Sequence, residues 1–165
     1  MYVCDEVPTT ATRGELRRVD LPPAARALST LPRIDYADAF VVEIGSPPER
    51  TAEQWARAVL EELPLALRIK LVLGWSALGL RLGSPVSDRF VLGWNVAHSD
   101  ADYTLLSAGS RFGLAGELLF KPEGSQLLFA TFVRQQGVFA HAVWPRIVPQ
   151  HVRVVRHVLR RASLR

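Results

Sequence analysis

Between Arg89 and Arg134 the hydrophobic period of this chain is two, and after Val138 it becomes that of a helix. Phe90, Leu92, Trp94 and Val96 alternate with Val91, Gly93, Asn95 and Ala97. Residues 103–108 and 114–120 read as the next strands, and Gln126 to Arg134 alternates again, with Leu127, Phe129, Thr131 and Val133 on one face. The breaks between these runs are short: His98 to Asp102, Gly109 to Gly113, and Lys121-Pro122-Glu123-Gly124. Successive strands joined by short turns form an antiparallel meander.

The terminal segment has to cover one face of that sheet. Val148, Val152, Val155, Leu159 and Ala162 recur at helical spacing and form a stripe to bury. Arg146, Arg153, Arg156 and Arg160 fall on the other side, and no aspartate or glutamate occurs from Gly124 to Arg165. Pro145 and Pro149 each remove a backbone donor, which predicts a kink or a fresh helix start. The predicted fold is α+β, a curved antiparallel sheet wrapped around a long C-terminal helix.

Upstream, Pro8, Gly14, Pro22-Pro23 and Pro32 punctuate an extended N-terminal arm over residues 1–34, with a short edge strand within 14–21. A single domain covers 35–165. Its first strand is Ala39 to Ile44, ended by Gly45-Ser46-Pro47-Pro48. Thr51 and Gln54 make a capping box for an amphipathic helix over 52–63. A second helix, 65–80, is apolar nearly all round, so it is buried on several sides, or meets a partner, a second copy or a lipid surface. Simple burial is the leading expectation.

Composition narrows the function classes. The 165 residues suffice for one core, and 48% hydrophobic with 22% charged residues is ordinary globular usage. The net charge of +4 does not by itself imply nucleic acid, and the arginine face lacks the interleaved aromatics that stack on single strands. Cys4 is the single cysteine, which excludes an internal disulfide or a multi-cysteine metal site and fits a cytoplasmic protein. No signal peptide is expected, and the uninterrupted apolar run from Leu71 to Leu80 is too short to span a bilayer. His98, His151 and His157 have no metal-ligand spacing, and no cofactor is expected. The glycines between Gly109 and Gly116 lie between strands, where a phosphate loop has no helix to open.

With the strand 39–44, the helix pair 51–80, the meander and the terminal helix in this order, the chain resembles the START-like superfamily, also called SRPBCC or helix-grip proteins. Two segments, Asp35-Tyr36-Ala37-Asp38-Ala39-Phe40 and Trp144-Pro145-Arg146-Ile147-Val148-Pro149-Gln150-His151, are similar to the uncharacterised bacterial family DUF2867 allied to it. The resemblance covers roughly residues 35–160. It implies an apolar pocket between helix and sheet, used by relatives for lipids, hormones or polyketides; some relatives are cyclases or hydratases.

The expected function is accordingly binding of a small hydrophobic molecule or lipid between sheet and helix. His141 and Trp144, if the helix runs through Pro145, share the side of Val148 and point into that space, so His141 is either a hydrogen-bonded core residue or a polar anchor. Trp94, Asn95, Thr131 and, depending on register, Phe129 or Phe132 are the strand residues expected to line the site. A cyclase or hydratase using His141 as acid or base is a second reading. A peripheral module docking its basic helix on an anionic membrane or acidic partner is a third, and a homodimer through 65–80 a further expectation. Asp38 is expected to be structural, bonding to a backbone turn.

Overall fold

The computed structural model describes residues 11–45 and 50–165. Cys4, Pro8 and the Ser46-Pro47-Pro48 part of the expected turn lie outside the described residues. In chain order the elements are β1 (Leu16–Val19), α1 (Pro23–Arg26), β2 (Tyr36–Glu43), α2 (Ala52–Leu60), α3 (Leu65–Ala77), β3 (Phe90–Val91), β4 (Trp94–Ser99), β5 (Thr104–Ala108), β6 (Leu114–Glu123), β7 (Gln126–Gln135) and α4 (Gly137–Ser163).

All seven strands join one open antiparallel sheet in the order β1-β2-β7-β6-β5-β4-β3. β3 to β7 are neighbours in sequence and in space, as short turns demand. β2 closes onto β7 instead, so the two helices between β2 and β3 carry the chain from one end of the sheet to the other. The expected edge strand in the arm is β1, paired with β2.

The structure corrects several expected boundaries. Residues 90–97 are two strands of a tight hairpin, because Leu92 (φ 46°) and Gly93 (φ 89°) both take positive φ and turn the chain back. The strands around Lys121 to Gly124 run on to Glu123 and Gln126, which pair directly, leaving Gly124-Ser125 as the turn. α2 ends at Leu60, and its capping box forms as expected: Gln54 N–H donates to Thr51 Oγ1 at 3.2 Å, and Thr51 N–H donates to Gln54 Oε1 at 2.8 Å. α4 is continuous through both prolines. Both prolines are exposed, so the carbonyls that lose their helical donors face water.

Each face of the sheet has its own apolar layer. Toward α2 and α4, Phe40, Val42, Leu106, Leu118, Phe120, Leu127 and Phe129 pack with Trp55, Val59, Val155, Val158, Leu159 and Ala162. At the other end of α4, Leu114 and Val133 pack with Ala140 and Trp144. On the opposite face, Ala39, Leu105, Leu119, Leu128, Ala130 and Phe132 are covered by Leu21, Ala25, Leu28, Leu31 and Ile34 of the arm. The arm therefore completes the second layer, and α1 interrupts its extended course.

That covering segment is pinned by a buried carboxylate. Glu117 is 1% exposed and accepts from Ser29 Oγ at 2.5 Å, from the Thr30 N–H at 3.1 Å and from the Thr30 hydroxyl. Three donors satisfy the carboxylate without a cation, which offsets the cost of its desolvation.

Helix α3 departs most from expectation. Only Leu71 is buried, with Leu67 and Trp75 partly packed on the core. Leu65, Ile69 and Leu73 are 63%, 49% and 63% exposed. Simple burial of this helix is therefore corrected: its two apolar sides have different fates, one packed and one open.

Candidate functional site

Strand parity and helix period bring five side chains together. In β2, Tyr36 and Asp38 share the face of Phe40, and Asp38 lies directly opposite Thr131 of β7. In α4, Ala140, Trp144, His151 and Val155 fall along the seam that meets this face. Trp144 meets Tyr36 edge-on at 5.3 Å and His151 at 5.3 Å between ring centroids.

The centre of the group is the Asp38 carboxylate, whose side chain is 0% exposed against 16% for His151. Its Oδ2 accepts from the Tyr36 hydroxyl at 2.6 Å and from His151 Nε2 at 3.0 Å. Burial alone raises the Asp38 carboxyl, but hydrogen bonding and charge from His151 and the bond from Tyr36 outweigh it and hold the group below its ordinary value, the Thr131 hydroxyl standing nearby without completing a bond. Burial, followed by the bond to Asp38, pushes the Tyr36 phenol well above its usual range. Near neutral pH the cluster is thus a carboxylate with two donors on one oxygen.

The second oxygen, Asp38 Oδ1, is buried without a hydrogen-bond partner among the described residues, and so are Thr131 Oγ1 and Trp144 Nε1. The indoles of Trp55 and Trp94 are also unpartnered; the Arg50 guanidinium lies 5.1 Å from the Trp55 ring centroid, and Trp94 stands in the apolar core. Asp38 and Thr131 face each other across the strand pair, and Trp144 adjoins Tyr36 and His151, the two partners of Asp38. Leaving such groups unmade costs about 1–3 kcal/mol each. The two described concavities lie elsewhere, one along Arg153 to Arg165 and one beside Arg57, Glu61 and Val86.

Of the residues singled out from sequence, Thr131, Trp144 and partly buried Val148 lie at this end of the interior. Phe129 is on the same sheet face but inside the main core, 5.1 Å from Phe120. Trp94 is buried further along the sheet, edge-on to Trp75 at 5.5 Å, where Gly116 leaves room for its ring. Asn95 points to the other face, toward Ser107 at 3.4 Å.

His141 is a correction. It is exposed, and its Nδ1 meets the carbonyl of Gly137 at 2.8 Å, one turn back on its own helix. The seam is set by Ala140 and Trp144, and a residue one position after Ala140 is rotated about 100° away from it. The sequence assigns His151 no role once metal spacing is excluded, and a first strand beginning at Ala39 leaves Asp38 before it as a structural residue. The available signals were the steps 144, 147, 151, 155 along α4 and the parity of Tyr36 and Asp38 with Phe40. Asp38 also does not bond to a backbone turn as expected; its partners are side chains.

The basic face of α4 is as expected for Arg146, Arg153 and Arg160, which are exposed, whereas Arg156 is half-buried with its guanidinium 5.7 Å from the Phe40 ring centroid. An open concavity of about 630 Å³ runs along the C-terminal part of this face, between Arg153 and Arg165. Among the described residues no group of three metal-binding side chains is found, and no helix is long and apolar enough to cross a membrane. No known protein family, characterised protein or solved structure matches this chain.

Proposed function

We propose that this chain is a helix-grip protein that binds a small, mostly apolar molecule carrying one hydroxyl or amide, held between α4 and the sheet. The element order supports the helix-grip reading: a first core strand paired to the last one, two helices between the first strands, a meander and a terminal helix. The observation that carries the ligand reading is the group of unpartnered buried atoms on Asp38, Thr131 and Trp144 within an otherwise apolar interior. A carboxylate at the centre selects against acids and for a hydroxyl or amide donor. Desolvation of the apolar body supplies affinity, and Asp38 fixes orientation.

The test is native mass spectrometry of the purified protein with extraction of its bound small molecules. A retained or added apolar alcohol or amide that raises the thermal midpoint, with the gain reduced at least tenfold in apparent affinity by Trp144→Ala, supports the proposal. A protein that shows neither retention nor stabilisation with such molecules sinks it.

The His151–Asp38 pair favours a second reading, an acid–base enzyme of the cyclase or hydratase type with His151 in place of His141. The two readings separate on His151→Gln, which abolishes turnover in an enzyme and leaves most of the affinity in a binding protein.

A further inference from the structure

Exposed large apolar side chains gather at one corner of the molecule. Leu65, Ile69 and Leu73 stand on one side of α3, spaced four residues apart so that they form a ridge along the helix. Phe112 and Phe139, 51% and 47% exposed, meet edge-on at 5.5 Å beside the end of this helix. The link is Gly79, just past α3, where an added Cβ would lie 2.5 Å from the Phe112 ring. Val138, next to Phe139, is 88% exposed. Isolated exposed apolar residues are ordinary, but a ridge continued by an aromatic pair marks an interaction surface.

The charges around this corner decide what it meets. At about 100° per residue, Arg68 and Lys70 flank Ile69 on either side of the ridge. Arg111 adjoins Phe112, and its N–H donates to the Gly79 carbonyl at 2.8 Å. The stretches 63–87, 103–116 and 124–165, which build the corner, contain no aspartate or glutamate. Two acids precede α3: Glu61, held by Arg57 at 3.2 Å, and exposed Glu62, whose carbonyl accepts from Arg165 Nη1 at 3.0 Å. A second copy pairing through this ridge would face cations with cations. An anionic lipid surface accepts the apolar ridge at its acyl boundary and the cations among its headgroups.

We propose that this corner, with Leu65, Ile69 and Leu73 of α3 as its apolar ridge, docks on an anionic lipid bilayer. The surface is separate from the Asp38–His151 site and does not depend on any ligand there.

The experiment is co-sedimentation of the full chain with phosphatidylcholine vesicles, with and without phosphatidylglycerol. Binding is expected only with phosphatidylglycerol, to weaken several-fold at high salt, and to fall at least tenfold in Ile69→Glu/Leu73→Glu. Those positions are exposed, so the thermal midpoint of the variant should match the parent. Arg153→Glu/Arg160→Glu, on the outer face of α4, should retain binding. Failure to bind phosphatidylglycerol vesicles overturns the proposal. So does binding lost in the α4 variant and kept in the α3 variant. A dimer in sedimentation velocity that Ile69→Glu dissociates assigns the ridge to a second copy and overturns it equally.

Discussion

His151 Nε2 lies 3.0 Å from Asp38 Oδ2 across 113 residues of chain, and this contact ties the middle of α4 to the start of β2. It also divides the space under α4. Trp144 and Ala140 pack with Leu114 and Val133 on one side of it, and Val155, Leu159 and Ala162 pack with Phe40 and Trp55 on the other. In that position the bonds from His151 and Tyr36 outweigh the desolvation of the Asp38 carboxylate, a cost that stays hidden while both partners are present.

Removing one partner should expose that cost. Asp38→Ala strands His151 and the Tyr36 hydroxyl in the interior and is expected to destabilise the fold by about 3 kcal/mol. Urea unfolding of Asp38→Ala, His151→Ala and the double variant measures it. The double variant should be less destabilised than the sum of the single ones, and strict additivity would refute a direct interaction.

Acid should weaken the protein through the same carboxylate. The folded-state value of Asp38 is depressed, so its contribution is fully present above the ordinary carboxylate value, about 3.9, and is lost as pH falls below it. Asp35, lowered mainly by the Gln135 N–H and Arg33, acts in the same direction, as does Asp100, lowered to about 2 mainly by the Tyr103 N–H. Stability measured by denaturant from pH 6 downward should be flat to about pH 4 and then decline. The decline should be shallower in Asp38→Asn, and an unchanged slope would show that Asp38 does not carry this linkage.

The arm should loosen when its carboxylate anchor is removed. Glu117→Ala leaves Ser29, Thr30 and the Thr30 N–H without their shared acceptor, at a cost of about 1–3 kcal/mol. Limited trypsinolysis reads this locally, because Arg26 and Arg33 flank the anchored residues. Cleavage there should accelerate while cleavage within α4 changes less; equal acceleration everywhere would indicate global destabilisation instead.

Gly113 is a position where a single methyl group should be costly. Its φ is +92°, and an added Cβ would lie 1.8 Å from the Gln136 carbonyl oxygen, a backbone atom at the entrance to α4. Gly113→Ala should lower stability by at least about 2 kcal/mol, whereas Gly109→Ala, with open space around it, should cost less than about 1 kcal/mol. Comparable thermal midpoints for the two variants would contradict this.

The parts of the fold legible in sequence were those governed by local period. The alternation of Leu127, Phe129, Thr131 and Val133, the capping box of Thr51 and Gln54, and the stripe of Val155, Leu159 and Ala162 each report which way a side chain points, because strand and helix geometry fix that residue by residue. The hairpin at Leu92-Gly93 was not legible, since alternation continues through it and leucine gives no sign of positive φ. The site was harder still. A strand aspartate and a helix histidine each look like ordinary surface residues until something opposes them.

The sequence by itself therefore determined most of the elements, the antiparallel meander and the buried sides of α2 and α4, all set by short-range periodicity. Tertiary structure alone decided that β2 pairs with β7, which places Asp38 opposite Thr131 and under His151. It also decided that α3 keeps only one of its two apolar sides, and that the arm rather than solvent covers the far face of the sheet. These are choices among partners far apart in the chain, and burial and hydrogen bonding across the whole domain settle them.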